Sequence, residues 1–477
     1  MRNIFRAATA GSIVALSGCN FAPAYRQPVA PVSATYPATP SPAYSQGLLA
    51  TDLGWNDYFL DPRLRSLIGT ALERNRDLAQ AVARIAQARA QYRIQDSQRV
   101  PTIEANGGAN RSVQPLNALG VPGAAGGGDT SSIDFTQYSA DVGVASFELD
   151  LWGRLRNLAQ AEREAWLASI EGERTARLTL IGQVAATYFD ILTGEDRIAL
   201  AERTLAGRRE GVRIAQKRLD AGVTSTVDFD QSMLLLTQAQ TELAEIKRTT
   251  AQSRNLLDVL IGGPSSTVLP AARPVLRPSQ VRDIAPGLPS SLLTARPDIL
   301  EAEHNLRAAN ANIGAARAAF FPTISLTGAY GFLSPTLGNL FKGSSEAFNY
   351  GGTLNLPIFD WGRRTAQVRL NRAQADELVA AYQRTVQGAF QEVADALVAR
   401  QHYAEQIAAQ TRTVEAQRRL ARTARLRYDN GIAIYLEVLD AERNLFSAEQ
   451  SLLQLRATDL QNSVSLYTAL GGGVRTG

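Results

Sequence analysis

Few side chains in this sequence are suited to chemistry. Its 477 residues hold one cysteine, Cys19, and two histidines, His304 and His402. A single thiol excludes an intramolecular disulfide. One Cys and two His fall short of the four ligands of a structural zinc site. A nucleophile with a His partner would have to use one of two histidines, and neither lies in a motif. Asp228 and Asp230 have no surroundings that suit a paired-acid reaction. The glycine run Gly123–Asp129 lacks the Lys-Ser/Thr of a phosphate loop. Asp440 and Arg443 stand three apart, a spacing that pairs them on one helix face for about 0.2–0.5 kcal/mol. These residues supply no catalytic group, no metal site and no cofactor site, so the expected class is not an enzyme.

Charge points away from nucleic acid. The chain carries 49 basic and 45 acidic residues, net +4. Arg is interleaved with Asp and Glu, as in Glu202-Arg203 and Glu442-Arg443, whereas a nucleic-acid surface clusters its charge. Cys19 is different in kind. Arg2 and Arg6 precede a short apolar run, Ala7 to Leu16, which reads as a secretory leader over 1–18, too short to span a bilayer. Leu16-Ser17-Gly18-Cys19 resembles a lipobox, in which the Cys becomes the acylated first residue. Asn20 rather than Asp follows it, which favours the outer membrane. Residues 19–60 are rich in Pro and read as an extended arm.

The elements that hold these residues repeat. Trp152-Gly153-Arg154 recurs as Trp361-Gly362-Arg363, and Leu260-Ile261-Gly262-Gly263 aligns with Ala469-Leu470-Gly471-Gly472 at the same offset of 209. Upstream, Pro101-Thr102-Ile103 matches Pro322-Thr323-Ile324 at 221, so the first half has twelve extra residues, around Pro115–Asp134. The chain divides into a first repeat, 61–263, a Pro-rich linker, 264–297, and a second repeat, 298–473. Each repeat reads as a helix (about 63–98; about 297–319), two strands, a very long helix and a shorter one.

Two periodicities define the elements. Val438, Ala441, Leu445, Ala448, Leu452, Leu455, Asp459, Asn462, Leu466 and Ala469 step by threes and fours, as do their counterparts Phe229, Ser232, Leu236, Ala239, Leu243, Ile246, Thr250, Ser253, Leu257 and Leu260, with both stripes weakening at the same two places. This is a coiled-coil seam. The preceding helix, about Trp361 to Tyr428, would be ~100 Å long at ~1.5 Å per residue. The strands alternate instead: Ile324, Leu326, Gly328, Tyr330 and Phe332; Tyr350, Gly352, Leu354, Leu356 and Ile358; and Ile103, Ala105, Gly107 and Ala109 against Tyr138, Ala140, Val142 and Val144. At about ten residues each they suit a tilted bilayer crossing. Lipid-facing strands need a closed barrel. Four cannot close one, since small bacterial barrels have about eight. Two copies give eight and three give twelve, the number at which the lumen begins to hold water. The fold class expected is mainly α with membrane β.

In their order along the chain these segments resemble the TolC-type outer-membrane efflux channels, specifically the NodT-like lipoprotein subgroup. The resemblance rests on Pro23-x-Tyr25-x-x-Pro28; Trp55 with Phe59-Leu60-Asp61-Pro62; Arg296-Pro297-Asp298-Ile299 with Phe320-Phe321-Pro322; Phe147 to Arg154; and Leu466-Tyr467-x-Ala469-Leu470-Gly471-Gly472-Gly473. It implies a homotrimer with a twelve-stranded outer-membrane barrel on a long periplasmic helical barrel. The implied partners are outer-membrane lipid, a periplasmic adaptor (membrane fusion protein) and an inner-membrane, proton-driven transporter of the resistance-nodulation-division type. The chain itself would be a passive duct for small molecules such as drugs.

The resemblance also places the periplasmic gate. The hairpin tips, Gly222 and Val223 and their counterparts Gly431 and Ile432, would face the adaptor. Leu436 would form an apolar ring, Asp440 an acidic ring and Arg443 its pairing charge. A ring of carboxylates selects for cations and a ring of Leu hinders water. The first-repeat counterparts are Val227, Gln231 and Leu234, so the ionic part is absent there and the second hairpin is expected to move. A type I protein-secretion exit channel of the same fold, or a structural coiled-coil envelope lipoprotein, are the alternatives the sequence leaves open.

Overall fold

The computed structural model describes residues 20–36, 48–115, 132–265, 280–285, 287 and 289–472. Cys19, the leader, the glycine run and most of the linker lie outside the described residues. The longer described elements, in order, are α1 (Pro62–Arg74), α2 (Arg76–Ser97), β1 (Glu104–Pro115), β2 (Ser132–Glu148), α3 (Arg154–Asp220), α4 (Thr226–Leu260), α5 (Pro297–Ala318), β3 (Thr323–Ser334), β4 (Glu346–Asn355), α6 (Arg363–Asp429) and α7 (Tyr435–Ala469). Helices α3 and α6 have 67 residues each, and α4 and α7 have 35. No helix among the described residues is long and apolar enough to cross a membrane.

The chain forms two compact units. The first is built from described residues within Met1–Gln27, Ala86–Leu167 and Glu303–Ala380. It holds a four-stranded antiparallel sheet in the order β1-β2-β3-β4. Ala105 pairs with Val142, Gly107 with Ala140 and Ala109 with Tyr138, so the expected apolar sets share a face. Across β3 and β4, Leu326 pairs with Gly352, Gly328 with Tyr350 and Tyr330 with Phe348. On that face Phe348, Tyr350 and Leu354 are exposed. One extra residue bulges β2 between Val144 and Phe147, where its register to β3 shifts.

Below the sheet Trp152 donates its indole N–H to the Pro322 carbonyl at 2.8 Å and stacks on Phe321. Phe21 stacks on the same ring, and Arg317 and Asn310 donate to the carbonyls of Phe21 and Pro23. The start of the N-terminal arm is thereby fastened along α5. His304 pairs through Nδ1 with the buried Glu164 at 2.7 Å, a packing role, and His402 is exposed beside Glu405.

The second unit is built from described residues within Pro28–Ile85, Ala168–Ala302 and Ala381–Gly477. Its core stacks Tyr58 on Tyr467 at 4.1 Å, with both rings and Phe59 essentially inaccessible. The Tyr58 hydroxyl donates to Ser463 O at 2.7 Å, and Tyr467 donates to Leu53 O at 2.9 Å. The arm is therefore not wholly a surface strap, because its last residues supply core aromatics. The coiled-coil seam is as read: Ser232, Ala239, Leu243, Ile246, Thr250, Leu257 and Leu260 are all buried along α4, and Val438, Ala448, Leu452, Leu466 and Ala469 along α7.

Two boundaries differ from expectation. The first helix is broken at Asn75, which takes an extended backbone. Its Oδ1 accepts from Leu78 N–H and its Nδ2 donates to Leu260 O, both at 2.9 Å, so it caps two helix ends at once. Strand β4 stops at Asn355, short of Leu356 and Ile358. Pro357 lacks the N–H a continuing ladder would use.

Candidate functional site: the hairpin turns and the helices beside them

The turn after α3 is closed by Gly222 N–H to Leu219 O and Val223 N–H to Arg218 O, each at 2.9 Å. The turn after α6 repeats the pattern: Gly431 N–H to Tyr428 O and Ile432 N–H to Arg427 O, each at 2.9 Å. Both are Schellman-type ends. Gly222 has φ +69° and Gly431 has φ +70°, the left-handed conformation that favours glycine. Val223 and Ile432 stand out from the two turns, 63% and 70% exposed. Asp228, beside the first turn, accepts from the Thr224 hydroxyl and caps locally.

Leu436 lies in the first turn of α7 and is partly exposed. One turn further, Asp440 pairs with Arg443 at 3.0 Å, both half-exposed. The structure thus brings the two charged residues together and leaves them on the solvent side of α7, with Leu436 one turn away. Arg427 and Glu437, at 3.1 Å, tie the two arms of this hairpin.

The structure adds a network that the sequence reading did not single out. It ties α3, an arm of the first hairpin, to both arms of the second. Arg208 on α3 is buried and lies 3.5 Å from Glu442 on α7. Its Nη1 has no hydrogen-bond partner among the described residues, and burial pushes the guanidinium's pKa down, with Glu442 opposing. Three residues on, the Tyr435 hydroxyl lies against Gly211, where a Cβ would collide with it. Burial raises the pKa of that hydroxyl and Glu442 adds to it. Further on, Arg218 covers the Tyr428 ring at 5.2 Å and donates to its hydroxyl, and Tyr428 meets Tyr435 ring to ring at 4.9 Å.

One signal in the sequence marks these positions. At the offset of 209 the counterparts of Tyr428, Tyr435, Asp440 and Glu442 are Leu219, Thr226, Gln231 and Met233, and Gln417 corresponds to Arg208. The hairpins differ where the network lies. Among the described residues no cluster of His, Cys, Asp or Glu could hold a metal ion.

Comparison with known proteins agrees with this geometry. A family model described as outer membrane efflux protein matches residues 67–263 and again 288–472. A probable efflux pump outer membrane protein, TtgC of Pseudomonas putida, is 42% identical over 463 residues, covering 96% of this chain and 93% of its own. The cation efflux system protein CusC of Escherichia coli is 38% identical over 462 residues, covering 96% and 97%. Among solved structures, the open state of the MtrE outer membrane channel of Neisseria gonorrhoeae superposes with a TM-score of 0.83 at 36% identity, over 96% of this chain and 99% of that one.

Proposed function

The chain belongs to the outer membrane efflux protein family, and on that premise we propose that it is the outer-membrane exit duct of a tripartite efflux system, passing small toxic molecules without catalysing a reaction. The observation that carries this is the sheet. Its apolar face suits lipid, yet β1 and β4 leave both edges open, and an open edge cannot stand in hydrocarbon. Three copies, each with two repeats, close a twelve-stranded barrel, and the 67-residue helices continue it into the periplasm. Cys19 carries the lipid. The turns at Gly222-Val223 and Gly431-Ile432 meet a periplasmic adaptor, which links the duct to an inner-membrane pump of the resistance-nodulation-division type.

A strain lacking the protein is expected to gain sensitivity within a panel of antibiotics, dyes, solvents and metals. Unchanged sensitivity throughout, with a secreted protein retained in the cell, would make it a secretion channel instead. Cys19→Ser is expected to abolish incorporation of labelled palmitate; undiminished labelling would remove the anchor from this reading.

In the trimer Asp440 becomes three carboxylates around one axis, beside three Leu436 side chains. The Asp440–Arg443 pair within α7 moves with its helix, so the bias toward the closed arrangement comes from contacts these charges make across the axis to partner subunits, about 0.2–0.5 kcal/mol each for exposed pairs. Asp440→Ala is expected to raise conductance in planar bilayers roughly three- to tenfold and to lower cation selectivity. A variant with wild-type conductance and selectivity would take Asp440 out of the gate.

A further inference from the structure

The two strand-to-helix joints of the first unit match in sequence but not in surroundings. At the joint after β2, Leu149 N–H donates to Ile324 O at 2.8 Å, Trp152 donates to Pro322 O at 2.8 Å, and the indole packs on Phe321. At the joint after β4, Leu356, Ile358 and Trp361, the counterparts of Phe147, Leu149 and Trp152, are 50%, 92% and 90% exposed. Trp361 also has φ +57°, a left-handed backbone that costs a non-glycine residue about 1–2 kcal/mol. The opposite edge shows the other half of the same joint. Val100 and Ile103, the counterparts of Phe321 and Ile324, are 60% and 72% exposed beside Pro101. Each open edge thus carries half of a joint that is complete inside the sheet.

The pairing register extends the match. Ala105 opposite Val142 and Ala109 opposite Tyr138 become Leu326 opposite Gly352 and Tyr330 opposite Phe348 when β1 is advanced by 221 and β2 by 210. The offset beyond the joint is 209, and the odd residue is the bulge of β2, which β4 lacks. The two hairpins are therefore copies in register, and the inner pairing of β2 with β3 predicts the outer one. Val144 opposite Gly328 becomes Leu354 opposite Gly107 of the partner subunit. Likewise Gly352 falls opposite Ala109 of the partner subunit, and Phe348 opposite Val113 of the partner subunit. This register keeps the apolar face continuous around the seam, whereas a one-residue slip would set Phe348, Tyr350 and Leu354 against the opposite-facing residues of the partner strand.

We infer that β4 of one copy joins β1 of the next in this register, latched by the Trp361 indole N–H donating to the carbonyl of Pro101 of the partner subunit. The inference rests on the trimer proposed above and adds its register and its latch. The strained, exposed Trp361 is the half of the latch that a single copy cannot close.

Cysteine cross-linking in the full-length protein tests the register. Gly107→Cys points into open space, since nothing lies within 4 Å of a Cβ there, and Leu354 is 66% exposed. Leu354→Cys with Gly107→Cys is expected to give oxidised dimers and trimers on denaturing gels, at least fivefold more than Leu354→Cys with Ala109→Cys. That pair is two residues out of register and lies roughly 7–8 Å apart, beyond disulfide reach. Each single variant is the blank. Equal or greater yield from the slipped pair overturns the register. So does absence of cross-links in a protein that light scattering shows to be trimeric, and the trimer reading then survives. A monomeric wild type overturns both. Trp361→Phe is expected to lower the temperature at which trimers dissociate, and Trp152→Phe to leave dissociation unchanged. An unchanged dissociation temperature for Trp361→Phe overturns the latch.

Discussion

Glu442→Gln is expected to raise the open population of the channel about tenfold per protomer, read as conductance in planar bilayers. Glu442 faces Arg208 at 3.5 Å, and no other described acid lies within ion-pair distance of that buried guanidinium. At an effective dielectric of ~20 the attraction at this distance is about 4–5 kcal/mol. The Glu442 side chain is 37% exposed, so solvent reduces this to roughly 1–2 kcal/mol, and 1.4 kcal/mol is about a factor of ten. The pair spans α3 and α7, so it is made only while the second hairpin lies against the first. Under the gate proposed above, with the described arrangement as its closed one, replacing Glu442 leaves a buried charge unpaired there, and opening hydrates it. The double variant Arg208→Gln with Glu442→Gln separates this from a general loosening. A coupled pair predicts that the second change adds little to the first. Fully additive effects, or a Glu442→Gln channel with wild-type conductance, would remove the pair from the closed state.

The sequence points to Asp440 and Arg443 on the second hairpin and gives no sign of the Arg208–Glu442 contact between the hairpins. Asp440 and Arg443 are legible because helix spacing alone brings them together, and they do pair. Arg208 and Glu442 are 234 residues apart and meet only through the packing of two hairpins. Within one helix Arg208 reads as a surface residue, although it falls on the buried stripe of Ala201, Leu205 and Ala215. A charge on an apolar stripe, opposite a repeat that has none, was the available signal. Gly211 was invisible for a different reason. Its role is to admit the Tyr435 hydroxyl, and the lack of a side chain leaves no pattern.

The elements were legible to the extent that their cause is periodic. Seam residues of α4 and α7 repeat every three or four positions, and the strand faces alternate, so both survive without tertiary information. The break at Asn75 was hidden because apolar spacing continues across it. What breaks the helix is a side chain that reaches Leu260 O, 185 residues away. The bulge in β2 adds one residue to an alternating run and shows only as a register shift against β3. Tyr58 and Phe59 fall inside the arm only by its bounds of 19–60: its last proline is Pro42, and the resemblance already sets Phe59 beside Trp55.

Gly471→Ala is expected to destabilise the protein by about 2–4 kcal/mol, while Gly431→Ala costs about 1 kcal/mol. Both glycines follow a helix end and take nearly the same conformation, φ +75° and +70°. Alanine in the left-handed region therefore pays a similar backbone cost at each. Their surroundings differ. A Cβ at Gly431 meets nothing within 4 Å, whereas one at Gly471 would lie 2.7 Å from Ala295 O and 3.0 Å from its carbonyl carbon. That carbonyl cannot retreat freely, because the next residue, Arg296, is fixed by Asp298 at 2.7 Å and by Glu392, and it donates to Ala469 O at 3.1 Å. The first repeat contains the same seat. Gly262, φ +70°, would place a Cβ 2.5 Å from Arg74 O, and Asn75 donates to Leu260 O as Arg296 does to Ala469 O. Gly262→Ala should thus match Gly471→Ala rather than Gly431→Ala. Thermal unfolding of the three variants in one detergent decides the matter. Equal losses at Gly471 and Gly431 would mean that conformation alone sets the cost and that the contact with residues 295–296 carries none of it.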